Sequence, residues 1–126
     1  MQVLDTNVIL RFLVGDNKKQ QEEAKAIFQE SKEKKKKLII KTITIAEACF
    51  VLESFYQKNR KDISSAFEIF LSQKWLQVDE RDTLLALWPW YLQGFHFVDA
   101  YLLSWAAQNK GKIITFDKKL AKESLS

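Results

Sequence analysis

The sequence predicts an α/β protein, a three-layer α/β/α sandwich around a central, mainly parallel sheet. The first observation is a set of short apolar runs: Val3-Leu4, Leu38-Ile39-Ile40, Leu76-Gln77-Val78 and Lys112 to Thr115. The second is that longer segments with helical apolar spacing separate these runs. Strands that alternate with helices favour a parallel sheet covered on both faces. The third is size. A chain of 126 residues, 47% of them hydrophobic, suits one domain over 1–126 with a core that needs no covalent staple. No linker-like stretch rich in Pro and Gly and no internal repeat interrupts it.

Each element has a local reason. Val3-Leu4 reads as the first strand and stops at Asp5-Thr6-Asn7. Val8 to Val14 has helical spacing and closes at Gly15. Asp16 or Asn17 caps a second helix with Ala24, Ile27 and Phe28 on its apolar face, running out at Lys34 to Lys37. Leu38 to Ile40 is a buried strand. Thr44 to about Tyr56 reads as a helix with Ala46, Cys49, Phe50, Leu52 and Phe55 mostly inward. Asp62 opens a helix through Phe67, Phe70 and Leu71, and Leu76 to Val78 is a strand. Asp82 to Leu92 is helical, bent or broken at Pro89. Val98 to Gln108 is a helix with Gly111 just beyond its end. Lys112 to Thr115 is the last strand, followed by Asp117 and a short helix.

Composition excludes several chemistries. One cysteine, Cys49, forbids an internal disulfide, and one cysteine with one histidine cannot build a Cys/His zinc site. The chain opens directly into Met1-Gln2-Val3-Leu4-Asp5, without a basic and then apolar leader, and no apolar run approaches membrane-spanning length. A cytoplasmic protein is the expectation. The net charge of +4 says little alone. If four of the 16 acids gather in one site, however, 20 basic residues face 12 acidic ones over the remainder, a balance that attracts nucleic acid.

The acids that carry the functional reading are Asp5, Glu47, Asp99 and Asp117. Asp5 and Asp117 directly follow the first and last expected strands, where ligands of parallel sheets bind. Each has an ordinary alternative. Asp5 and Asp117 could be helix N-caps. Thr44-Ile45-Ala46-Glu47 has capping-box spacing, with Glu47 at the N3 position. Asp99 stands among Phe95, Phe97, Val98, Ala100 and Tyr101, so it must cap a helix or face something charged. Carboxylates that converge repel one another unless a cation compensates. An all-oxygen ligand set suits Mg²⁺ or Mn²⁺, which can activate water and offset charge on a phosphoryl group.

These residues resemble the motifs of the PIN-domain nucleases. Val3-Leu4-Asp5-Thr6-Asn7-Val8-Ile9-Leu10 resembles the opening motif, Ile45-Ala46-Glu47 the second, Phe97-Val98-Asp99-Ala100-Tyr101-Leu102-Leu103 the third, and Ile114-Thr115-Phe116-Asp117-Lys118-Lys119-Leu120 the fourth. Order and spacing agree from end to end, and the compact length is most similar to VapC-type toxins of toxin–antitoxin pairs. The resemblance implies a PIN-like α/β/α sandwich and Mg²⁺- or Mn²⁺-dependent RNA cleavage. It also implies a homodimer and a small antitoxin protein that inserts into the active-site groove. It assigns Asp5, Glu47, Asp99 and Asp117 to the acidic positions, and Asn7 and Thr115 to supporting polar ones. One departure precedes Glu47, where Lys41-Thr42-Ile43-Thr44 replaces a stretch that often holds proline.

Other features read more plainly. Lys34 to Lys37 is taken as a solvated helix end, suited to the helix dipole. Leu87-Trp88-Pro89-Trp90-Tyr91-Leu92 is unusually aromatic and is a candidate dimer or partner surface. His96, alone among aromatics, is taken as structural. Two alternatives stand beside the ribonuclease. One is a phosphatase-like hydrolase with Asp5 as nucleophile, although the second acid such enzymes carry two residues later is here Asn7. The other is a non-catalytic RNA-binding or regulatory module on the same fold.

Overall fold

A computed structural model describes residues 1–125. The chain divides into two compact units, Met1–Asp79 and Glu80–Ser126.

The first unit is built on a parallel sheet. Its elements are β1 (Gln2–Val3), α1 (Thr6–Val14), α2 (Lys18–Lys34), β2 (Leu38–Ile40), α3 (Thr42–Ser54), α4 (Arg60–Leu71) and β3 (Leu76–Val78). The strands lie in the order β1-β2-β3, both pairings parallel, with Val3 opposite Ile39 and Ile40 opposite Val78. Two helices fill each crossover, the kind of connection parallel neighbours require. Leu38 and Ile40 are buried, while Ile39, on the other face, is half-buried. Around them pack Ile9, Leu10, Phe28, Ile45 and Phe67.

Capping fixes the helix ends in this unit. The Asn17 side chain accepts a hydrogen bond from the Gln20 amide at 3.0 Å and starts α2. Gly15 ends α1 at φ 72°, a left-handed conformation that glycine adopts without penalty. The Asn59 side chain caps α4 through the Asp62 amide at 2.8 Å, so Asp62 is its third residue rather than its opener. The lysines after α2 are exposed, as a solvated helix end should be. Lys34 and Lys36 reach Glu30 at 3.3 and 3.2 Å and hold its carboxyl below the usual range.

Helix α3 departs from the expectation. It begins at Thr42, two residues before the expected start, with Lys41 in the N-cap position and no side-chain cap. The inward face is therefore Ile45, Ala48, Cys49 and Leu52. Phe50 and Phe55, expected inside, stand 69% and 74% exposed. Burial pushes the Cys49 thiol far above its ordinary range, with the Glu53 charge adding to the shift, so the thiol is inert.

The second unit is helical: α5 (Arg81–Ala86), α6 (Trp88–Gln93), α7 (Phe97–Asn109) and α8 (Lys118–Ser124). The helix expected over Asp82 to Leu92 is two, joined at Leu87, and Pro89 lies in the first turn of α6, where its missing N–H costs nothing. The aromatic run is divided: Leu87, Trp88 and Tyr91 are core, while Pro89 and Leu92 are exposed. Trp88 and Tyr91 are fully buried and meet edge to face at 5.5 Å. Trp90 is half-buried and donates through Nε1 to Glu123 at 3.1 Å. Trp88 is thus removed from any interface. The Ser104 hydroxyl donates to the Thr83 carbonyl at 2.7 Å and ties α7 to α5. Lys110, at φ 51°, ends α7, and Gly111 follows it. A Cβ on Gly111 would lie 2.6 Å from Cζ3 of Trp105.

The strand expected at Lys112 to Thr115 is not formed, and the sheet has three strands among the described residues. The segment is irregular, with Ile114 86% exposed. β-propensity describes how a residue fits a paired, half-buried surface, and Ile113-Ile114 has no ladder here to fit. No helix among the described residues is long and apolar enough to cross a membrane.

Candidate active site

The first unit holds Asp5, Asn7 and Glu47. Asp5 follows β1 and is the N-cap of α1; its Oδ2 accepts from the Asn7 amide at a long 3.4 Å. The ordinary reading of Asp5 as a cap is therefore realised, but one carboxylate oxygen is engaged and the other is open. The carboxylate is exposed and sits on the lip of a cleft of about 550 Å³ that Val3, Val8 and Leu38 also line. Asn7 is exposed one position into the same helix.

Glu47 loses its ordinary explanation. With Lys41 at the N-cap, the N3 position is Thr44, whose hydroxyl donates to the Lys41 carbonyl at 2.7 Å. Glu47 lies a turn further along α3 and cannot close a capping box. Its side chain is exposed and engages no hydrogen bond or ion pair among the described residues.

The second unit holds Asp99, Thr115 and Asp117. Asp99 is the third residue of α7, half-buried, and its side chain likewise engages no hydrogen bond or ion pair among the described residues. Negative charge in a first helical turn is favoured by the helix dipole. Asp117 caps α8, its Oδ1 accepting from the Leu120 amide at 2.9 Å. The Thr115 hydroxyl accepts from the Asp117 amide at 3.0 Å and so fixes the residue that presents the carboxylate. Nearby on α7, the Tyr101 hydroxyl donates to Glu80; burial and that bond push its phenol up to about 12.

In each unit the candidate donors are hard oxygens, a chemistry that suits a hard divalent cation rather than a thiophilic metal. Taken by itself, neither unit gathers three His, Cys, Asp or Glu side chains as a metal centre among its described residues.

The PIN domain family matches residues 3–123, spanning all six of these positions and nearly the whole chain. The chain belongs to the PIN domain family. A VapC ribonuclease from Aquifex aeolicus (strain VF5) is 34% identical over 79 residues, which is 63% of this chain. The matched region covers 58% of that relative's length, little more than half. No solved structure matches the chain.

Two residues of this PIN domain were not singled out from the sequence. Lys41 directly follows β2 and Asp79 directly follows β3, and Lys41 Nζ meets Asp79 Oδ2 at 2.8 Å. The rule that selected Asp5, a polar residue immediately beyond a strand, would have found both.

Proposed function

We propose that this PIN domain is a divalent-metal-dependent endoribonuclease that hydrolyses RNA phosphodiester bonds. In this reading Asp5, Glu47, Asp99 and Asp117 hold one Mg²⁺ or Mn²⁺ site, and Asn7 and Thr115 orient neighbouring groups. The protein acts as the VapC-type toxin of a toxin–antitoxin pair, as a homodimer in the cytoplasm, held in check by a small antitoxin.

The observation that carries the reading is the state of Glu47 and Asp99, two carboxylates that match PIN motifs and whose side chains engage no hydrogen bond or ion pair among the described residues. A residue kept for folding would be expected to show the contact it makes. The likeness to a VapC ribonuclease supports the choice of reaction and substrate. In the proposed site each residue has a limited task. The oxygens of Asp5 and Asp117 that do not cap α1 and α8 would help to hold the cation. Glu47 would help to hold the cation or take the proton of the attacking water. Asp99 supplies charge from the first turn of α7. A cation held by these oxygens would lower the pKa of bound water and neutralise charge developing on the phosphoryl group.

The test is cleavage of a labelled single-stranded RNA with Mg²⁺ or Mn²⁺ present and with EDTA in excess. Wild-type activity should require the metal. Asp5→Asn and Asp99→Asn should abolish it, because each keeps its shape and loses one negative charge. RNA binding that persists unchanged in EDTA, with no cleavage under any metal, would leave a binding module instead.

A further inference from the structure

We propose that Lys41 and Asp79 form a phosphate-binding subsite for the RNA backbone, in which Lys41 Nζ contacts a phosphodiester oxygen and Asp79 holds that ammonium in position. The inference rests on the ribonuclease reading above. It begins with register. Val3 pairs with Ile39, and the ladder continues through the bond from the Leu4 amide to the Ile39 carbonyl at 3.0 Å, so Asp5 comes opposite Lys41. Ile40 pairs with Val78, and the Asp79 amide bonds the Ile40 carbonyl at 2.9 Å, so Lys41 comes opposite Asp79. Asp5, Lys41 and Asp79 are thus adjacent positions along the carboxyl edge of the sheet, about 4.8 Å from strand to strand.

The chemistry of the row needs a cation. Asp5 and Asp79, with Glu47 further along α3, would present negative charge to a polyanion. Lys41 supplies the positive charge in that row. An ammonium has three N–H donors. Asp79 takes one at 2.8 Å, and the Lys41 side chain is 52% exposed, so the others are open to an incoming phosphate oxygen.

Neither helix stability nor the ion pair accounts for the residue. Lys41 occupies the N-cap of α3, where Ser, Thr, Asp or Asn would add a side-chain hydrogen bond, and it makes none. An ion pair this exposed contributes little to folding. The position therefore forgoes a cap and carries a charge whose use lies outside the chain. Asp79 acts through Lys41. Its amide is pinned to β2, so its carboxylate aims a flexible side chain that would otherwise sample many rotamers.

The experiment measures binding of a fluorescein-labelled single-stranded RNA by anisotropy in EDTA across a salt series, and steady-state cleavage with Mn²⁺. Lys41→Ala should weaken binding and raise KM about tenfold while kcat changes less than about threefold, the signature of lost uniform binding. The slope of log affinity against log salt should fall by about 0.7, as one phosphate contact to a single strand requires. Lys41→Arg should restore KM to within about twofold. Asp79→Asn, which keeps the cation but loosens it, should raise KM about threefold. Lys74→Ala removes the same charge near the amino end of β3 and should leave the salt slope unchanged. A Lys41→Ala protein that cleaves with wild-type KM and salt slope overturns the subsite alone. Equal effects from Lys74→Ala and Lys41→Ala also overturn it, because they reduce Lys41 to net charge. Wild-type protein that neither binds nor cleaves RNA overturns the ribonuclease reading and the subsite with it.

Discussion

Replacing Glu47 with Gln separates a structural acid from a functional one, because Glu47 has no hydrogen bond or ion pair to lose among the described residues. The residue is exposed in the body of α3, its side chain engages no partner among the described residues, and glutamate and glutamine have nearly equal helix propensity. The expected change in folding stability is within about 0.5 kcal/mol, as for other featureless surface positions. That is a melting shift of no more than about 2 °C for a chain of this size. The expected change in catalysis is far larger. A carboxylate and a divalent cation about 4 Å apart interact by about 2 kcal/mol at the dielectric constant of water and about 8 kcal/mol at an effective value near 20. An exposed residue belongs nearer the first figure. Even that lower bound is about a thirtyfold loss. The assay is kcat/KM on labelled RNA across an Mn²⁺ titration, beside a thermal melt of the same protein. Excess metal should recover part of the loss if the charge serves the cation. Wild-type turnover with an unchanged melt would refute the reasoning and leave Asp5, Asp99 and Asp117 to carry the site.

Other consequences follow from the caps, the packing and one phenol. Asp117→Ala removes the acceptor of the Leu120 amide at 2.9 Å and should cost about 1 kcal/mol of stability, whereas Asp117→Asn keeps the cap and the melting temperature yet should lose cleavage. An Asn variant with full activity would confine Asp117 to capping. Gly111→Ala would place a Cβ 2.6 Å from the Trp105 ring, so the ring must move, and urea unfolding should show a loss of about 1–2 kcal/mol. The Tyr101 phenol, raised from 10.0 to about 12, is favoured protonated by the fold. Its stabilisation is complete below pH 10.0 and is lost as pH rises toward about 12, so alkaline melts should fall less steeply for Tyr101→Phe over that window.

What the sequence made legible was chemistry that is local in the chain. Strand ends, N-cap acids and the Gly15 stop are each set by a few neighbouring residues, and Asp5, Asn17 and Asp117 cap as their types suggest. The start of α3 was misread because Thr44 and Glu47 have the spacing of a capping box, and the residue that holds the N-cap, Lys41, sends no side-chain signal. Phe50 and Phe55 stand outside because the inward stripe is already filled by Ile45, Ala48, Cys49 and Leu52, and an apolar run cannot show by itself which of its members that stripe takes. The burial of Trp88 was hidden for another reason. Helices α5 and α6 are six residues each, too short for apolar periodicity to define a face, so an all-apolar run looks the same whether it lies in a core or on a surface. Lys112 to Thr115 has strand composition, but a strand is a pairing and not a property of four residues.

The four acids now divide into two kinds, and the division bears on how such a site can coexist with a stable fold. Asp5 and Asp117 are each bound to a backbone amide at a helix start, so folding positions them and their removal must cost stability. Glu47 and Asp99 have no such tie among the described residues, and the helix dipole at the first turn of α7 is the one stability reason on hand, for Asp99 alone. The half-burial of Asp99 makes this sharper than the exposure of Glu47. A half-buried carboxylate with no hydrogen-bond or ion-pair partner among the described residues has the dipole of the first turn of α7 and any ligand outside the chain to compensate it. A bound cation is the smallest agent that would do so. If that is its role, Asp99→Asn should lose the activity and leave the fold within about 1 kcal/mol of its stability, the size of the helix-dipole contribution, since the substitution keeps the shape. A marked fall in melting temperature for Asp99→Asn would instead mean that the carboxylate serves the first turn of α7, and the cation site would have to be argued from the remaining three.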